Sequence, residues 1–296
     1  MLQQARGLSP PELQAIADLE GLVVGADGGR LKLEWGSLRS RDRDQVQDLL
    51  WWQDGQLLGF LGMYRFGSST ELTGMVAPAA RRRGIATALL TTALSLCADR
   101  GHHRPLLVVP RTSAAGKAMA LGRGAVLDHS EHALVLLAEP GGGASDPRVC
   151  LREAVPADAL VVSQLLEEGF GHPATGVAEM LASDQERALL VEVDASPVGT
   201  LRLTHQGDDA GIYGFVVAPA WRGQGIGRDV LRRVCQQLRA EGARRIGLEV
   251  AVDNDRALGL YISVGFTSVA TEDYYALPVP QAVIPSNSPA IRRGRR

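Results

Sequence analysis

Cysteine is scarce in this chain, with three in 296 residues: Cys97, Cys150 and Cys235. Their spacing fits neither a disulfide framework nor a zinc site, so a reducing, cytoplasmic setting is the expectation. Charge of one sign is lacking too. Against 33 Asp+Glu stand 31 Lys+Arg, a formal net charge of -2, which leaves no basic surplus for a phosphate backbone and argues against nucleic acid. No apolar run approaches the ~18 residues of a membrane span. The start "MLQQARGLSPPEL" lacks the basic and apolar regions of a signal peptide. Neither a membrane nor a nucleic-acid partner is therefore expected. The six histidines, among them His102, His103, His129 and His132, form no H-x-x-x-H pattern and have no carboxylate partner that the sequence reveals. No metal is expected.

What is present is a repeat. The stretch "VVAPAWRGQGIGRDVL" from Val216 is echoed by "MVAPAARRRGIATALL" from Met75 at a constant offset of 141 residues. The length also exceeds the usual size of one hydrophobic core. Two domains follow as the expectation: 1–140, then a Gly/Pro/Ser-rich connection at 141–149 read as flexible, then 150–280. The basic end, 281–296, has no apolar periodicity and reads as a disordered tail.

Each repeat reads as an α/β unit: a helix, antiparallel strands, a strand running into a glycine turn and a helix, then strand, helix and strand. "LLWWQDGQLLGFLGMYRF" predicts a hairpin around Asp54 and Gly55. "IATALLTTALSLCADRG" and "IGRDVLRRVCQQLRAEG" predict helices closed by Gly101 and Gly242.

The glycine turn has a physical use. The first turn of a helix leaves N–H groups without intrahelical partners, and the dipole adds partial positive charge there. In "RGQGIG", Gly225 and Gly227 remove Cβ atoms and so allow phosphate oxygens close to the backbone, with Arg222 and Arg228 at the rim. Tight packing alone is the alternative reading. The spacing departs from G-x-G-x-x-G and lacks the Lys-Ser/Thr of a P-loop, so NAD and ATP fall behind.

At this point the chain resembles the GNAT acetyltransferase family, whose pyrophosphate loop reads Q/R-x-x-G-x-G/A. A second hallmark is similar too: "LEVAVDNDRALGLYISVGF", a strand followed by N-x-x-A-x-x-L-Y and then G-F. The resemblance implies two tandem GNAT folds, each a mixed, mostly antiparallel sheet flanked by helices, with acetyl-CoA as cosubstrate. In the second repeat it implies cofactor contacts from Val216, Val217, Arg222, Gly223, Gln224, Gly225, Ile226, Gly227, Arg228 and Asn254. In the first, the matching positions are Val76, Arg81, Arg82, Arg83, Gly84, Ile85 and Ala86. Asn254 also reads as a plain helix N-cap.

Acetyl transfer from a thioester to an amine needs a neutral amine, a stabilised oxyanion and a proton for the departing thiolate. Glu249 is the expected base, with a strand glutamate that only binds a neighbour as the alternative. Tyr261 is the expected acid, with a core tyrosine as the alternative. At the offset of 141, Glu249, Asn254 and Tyr261 face Val108, Ser113 and Ala120. The first repeat is thus expected to be degenerate: an anion turn without the transfer chemistry, serving as a binding site, a structural partner or a fold remnant. The expected function is an acetyl-CoA-dependent N-acetyltransferase acting on a primary amine of a small molecule or peptide. A non-catalytic acyl-CoA sensor is the rival. Tandem members of the family include mycothiol synthase, whose carboxyl-terminal domain is the active one, and that architecture is similar here. A monomer whose halves pair as an internal pseudo-dimer fits this arrangement.

Overall fold

The computed structural model describes residues 1–66, 69–143, 145–183 and 186–278; the tail at 281–296 lies outside them. The first repeat runs β1 (Leu2–Ala5), α1 (Pro10–Asp27), α2 (Trp35–Arg39), β2 (Asp48–Gln53), β3 (Gln56–Phe66), β4 (Ser69–Val76), α3 (Ile85–Asp99), β5 (Pro105–Pro110), α4 (Ala114–Leu121) and β6 (Val126–Leu136). The second runs β7 (Val149–Glu153), α5 (Ala159–Phe170), α6 (Val177–Leu181), β8 (Arg187–Val193), β9 (Ser196–Gln206), β10 (Asp209–Val217), α7 (Ile226–Ala240), β11 (Arg245–Ala251), α8 (Asp255–Val264) and β12 (Thr267–Ala276).

Local chemistry sets the elements. The β2–β3 hairpin turns on Asp54 and Gly55, at φ 50° and 75°, the left-handed pair that matches strand twist. Asp194 and Ala195 (φ 49° and 62°) turn β8 into β9 in the same way. α1 opens with Ser9, whose backbone N–H donates to the Glu12 carboxylate (2.8 Å). The connection after β6, expected to be loose, is tied to the second repeat. Gly141 N–H donates to the Val264 carbonyl (2.8 Å), and the Arg233 guanidinium donates to the carbonyls of Asp146 and Val149 (2.6 and 2.9 Å).

All twelve strands join in one sheet, ordered β1-β2-β3-β4-β5-β12-β6-β11-β10-β9-β8-β7. Among the described residues, only β4–β5 and β10–β11 pair in parallel. The order shows that the repeats exchange their last strands: β6 lies against β11, and β12 lies against β5. Burial follows the exchange. Leu134 and Leu136 of β6 sit in the core beneath α7, while Tyr275 of β12 sits in the core beneath α3. Each fully buried leucine contributes about 1.5–3 kcal/mol, so neither core is complete within its own repeat. The β6–β12 pair marks a pseudo-twofold axis at the middle of the sheet.

Candidate active site

Where a parallel pair carries a glycine turn at its end, the sheet splits. β10 and β11 are in register only from Asp209/Arg245 to Gly211/Gly247, and β4 and β5 only from Thr70/Pro105 to Leu72/Leu107. Beyond those points the strands diverge and leave backbone edges open in a cleft.

The two clefts differ by one residue. Before the split the repeats superpose at an offset of 140: Gln53 pairs with Gln56 as Val193 pairs with Ser196. After it the offset is 141. The extra residue sits in β10, where the register with β9 jumps between Tyr213/Arg202 and Val216/Thr200. Gly214 and Phe215 there oppose Leu201 alone, which is a β-bulge, and Gly214 supplies the needed φ of +57°. Ala218 N–H donates back to the Val198 carbonyl (2.8 Å). Strand alternation therefore turns the Val217 N–H and C=O to the opposite edge, into the cleft. β4 runs against β3 from Ser69 to Val76 with no such jump.

The turn after β10 carries the predicted residues. Gly223 (φ 81°) and Gly225 (φ 85°) are left-handed, and Gly225 begins α7 without any side-chain cap. The first N–H groups of α7 are thus open to a ligand. A Cβ on Gly227 would come within 3.3 Å of Leu260 Cδ2, so this glycine serves close packing against α8. Ile226 is core. Arg222 Nε donates to the Val217 carbonyl (2.7 Å), Gln224 to the Ala220 carbonyl (3.2 Å) and Arg228 Nε to Ser263 Oγ (3.0 Å). In the first repeat, Gly84 (φ 82°) also starts a helix, but Arg82 (φ 62°) stands where the second has Gly223. Arg81 is already occupied: its guanidinium makes a two-pronged bond to Asp27 at the end of α1 (2.8 and 2.7 Å), and Arg83 donates to Gln53 (3.0 Å).

One long cleft runs from the second repeat's glycine turn past Tyr261 and Glu249 to the residues 30–35 of the first repeat. Val216, Val217, Arg222, Gly223, Gly225, Gly227, Arg228 and Asn254 line it; none of Val76, Arg81–Arg83, Gly84, Ile85 or Ala86 does. Asn254 accepts from the Ala257 N–H (3.1 Å) and caps α8. Tyr261 is 8 % exposed and packs edge-on to Phe266 at 6.1 Å. Its hydroxyl has no hydrogen-bond partner among the described residues, and burial pushes it up to about 12.

Glu249 is where sequence reading fell short. Its two oxygens are held by Lys32 Nζ (2.7 Å) and Arg30 Nη2 (3.0 Å). Burial would raise this carboxyl, but the two cations win and hold it below its ordinary 4.5. Lys32 also contacts Glu71 (3.1 Å) and donates to the Tyr274 hydroxyl (2.8 Å), which in turn donates to Glu131 (2.7 Å). Arg30 reaches Glu272 at 3.7 Å. The alternation of charge and leucine in "RLKLEW" was the available signal for these residues. It could not name a partner 219 positions away. His129, read as lacking a carboxylate, stands 2.7 Å from Asp128 and stacks on Tyr274. Among the described residues no cluster of His, Cys, Asp and Glu could hold a metal ion, and no helix is long and apolar enough to cross a membrane.

A split sheet, a bulged strand at the split and an uncapped helix behind a glycine turn define an α/β fold with a cleft in its sheet and open backbone N–H groups at the mouth. The sequence profile of the Acetyltransferase (GNAT) family matches this chain twice, over residues 22–121 and 158–266. The chain belongs to the GNAT acetyltransferase family, as a tandem member, and acyl transfer is the family's general chemistry. It is similar in fold to a GCN5-related N-acetyltransferase from Sphaerobacter thermophilus, with 20% identity, TM-score 0.77, and 95% of this chain and 96% of that one covered. It is also similar to a tandem GNAT protein from the clavulanic acid biosynthesis pathway (19%, 0.66, 95% and 100%). A GCN5-related N-acetyltransferase from Kribbella flavida matches at 14% and 0.55, over 93% and 97%.

Proposed function

We propose that the protein is an acetyl-CoA-dependent N-acetyltransferase acting on a primary amine of a small molecule or peptide, with the chemistry in the second repeat. The observation that carries this reading is the meeting, in one cleft only, of the bulged β10, the uncapped start of α7 and the unbonded Tyr261 hydroxyl. The diphosphate would lie on the first N–H groups of α7 with Arg222 beside it, and the Val217 N–H would receive the thioester oxygen as it gains negative charge.

An alkylamine of pKa ~10 arrives protonated. Glu249, held ionised by Lys32 and Arg30, takes that proton through water, because both of its oxygens are already engaged. The C–N bond forms, the C–S bond breaks, Tyr261 gives its proton to the departing thiolate, and the second proton, shed by the new amide nitrogen, restores the phenol by way of solvent. In the first repeat, Asp27 fills the place of an anion on Arg81, and no tyrosine stands at Ala120. We therefore propose that this repeat performs no transfer. Calorimetric titration with acetyl-CoA is expected to give one equivalent per chain, with thiol release on adding a turning-over amine. Two equivalents would overturn the account of the first repeat, and none would overturn the whole reading.

A further inference from the structure

The far wall of the active cleft belongs to the first repeat, which lines it with the carboxylates of Glu20, Glu34, Glu71 and Glu131 and the cations of Arg30, Lys32, Arg39 and Arg65. Around Lys32 and Arg30 stand Glu34, Glu71, Glu131 and Glu249. Nearly every acidic group along this wall has a partner. Glu249 holds Lys32 and Arg30, and Glu71 holds Lys32. Glu131 accepts from Tyr274, Glu20 from the Trp35 indole (3.1 Å) and Glu186 from Arg202 (2.6 Å). Glu34 differs. Its carboxylate makes no hydrogen bond and no ion pair within 4 Å among the described residues, although it lines the cleft and is half-buried. Glu179 is also unpaired, but it is exposed to solvent.

An ionised group in this position is incompletely compensated. Burial is the largest effect on the Glu34 carboxyl and raises it. Lys32 and Arg30 act to lower it, and the carboxylates of Glu249 and Glu186 add to the rise. The group does not serve its own helix, since Glu34 precedes α2 without a side-chain capping bond. Its charge is felt instead by Tyr213, whose phenol is lifted to about 12 by burial first and Glu34 next. Tyr213 is the residue at which β10 leaves register to form the bulge. The unpaired carboxylate and the strand that bends at Tyr213 thus line the same cleft.

Resting on the acetyltransferase reading, we propose that Glu34, supplied by the first repeat, receives the ammonium group of the acceptor, so that the first repeat forms the amine-binding wall of the second repeat's active site. The acceptor is accordingly an alkylammonium, and a neutral isostere is rejected. An incoming cation satisfies a half-buried cleft carboxylate that has no partner among the described residues, and it docks before its proton is removed. The first repeat thus contributes recognition where it lacks the groups for transfer.

The test uses the full chain with coenzyme A bound, so that no turnover occurs, and follows propylamine and 1,4-diaminobutane by saturation-transfer NMR at pH 7.5. The wild-type protein is expected to bind both amines and to bind propan-1-ol at least about tenfold more weakly. Glu34→Gln is expected to lose about tenfold or more in amine affinity with coenzyme A affinity unchanged. Propan-1-ol binding as well as propylamine, or amine affinity in Glu34→Gln within twofold of wild type, overturns the proposal. So does a wild-type protein that binds neither amine. The comparison of propylamine with propan-1-ol needs no variant and decides the matter even if Glu34→Gln were unstable. Failure of coenzyme A to bind the wild-type protein would instead sink the acetyltransferase reading beneath it.

Discussion

Replacing Tyr261 by Phe separates chemistry from packing unusually well here. The hydroxyl has no hydrogen-bond partner among the described residues, while the ring packs against Phe266 and is 8 % exposed. Deleting the oxygen breaks no bond and leaves the ring in place, so unfolding free energy should change by less than about 0.5 kcal/mol. Acetyl-CoA affinity should be untouched, because the proposed diphosphate contacts lie on α7. Turnover is another matter. A positioned acid contributes about 10²- to 10⁴-fold, or roughly 2.7 to 5.5 kcal/mol of barrier. Burial lifts the phenol to about 12, so it holds its proton at every pH at which the protein would be assayed. A thiolate leaving into the same cleft loses solvation for the same reason, which raises its basicity in step and keeps the transfer feasible. The assay is thiol release with acetyl-CoA and an amine that turns over, beside calorimetry and a urea melt of each variant. The expected result is a fall in kcat of about 10²-fold or more at constant affinity and stability, with no alkaline limb from this group between pH 7 and 10. A turnover within about threefold of wild type would refute the acid role.

Two other perturbations probe the charged layer between the repeats. Lys32 is held between Glu249 and Glu71, with 6 % of its side chain exposed. Lys32→Ala leaves buried carboxylates without their cation and should cost about 3–5 kcal/mol in urea unfolding; a loss below 1 kcal/mol would show the network to be slack. Glu272 is fully buried, and its carboxyl is raised by burial from 4.5 to about 7. The folded value lies above the unfolded one, so the stability this group contributes is whole below pH 4.5 and is lost as pH rises through 7. That difference corresponds to about 3 kcal/mol. Glu272→Gln should remove this contribution, flattening the stability profile between pH 5 and 8 and leaving the variant the more stable protein at pH 8. Guanidinium melts across that range would show a wild-type slope if the reasoning were wrong.

The local half of this molecule was legible from its sequence. The Asp54-Gly55 hairpin and the helices after both glycine turns depend on neighbours within a few positions, where turn chemistry and periodicity act. The places of Tyr261 on α8 and of the glycine turn before α7 were legible because their motifs are contiguous. Glu249 was only half legible: its position on β11 follows from the pattern, but its ion pairs to Arg30 and Lys32 are made across the pseudo-twofold axis. The strand exchange left no trace in composition: β6 and β12 each bury apolar residues, and nothing local to either strand names its neighbour. The bulge at Gly214 did leave a trace. The offset between the repeats slips from 140 to 141 at that glycine, and a comparison of both ends of the repeat finds it.

The exchanged strands also govern what the chain can discard. A deletion of the amino-terminal repeat would take β6 with it, strip β11 of a neighbour and remove Leu134 and Leu136 from beneath α7. A repeat that we propose performs no transfer of its own is thereby made indispensable, as the wall and floor of another's workshop.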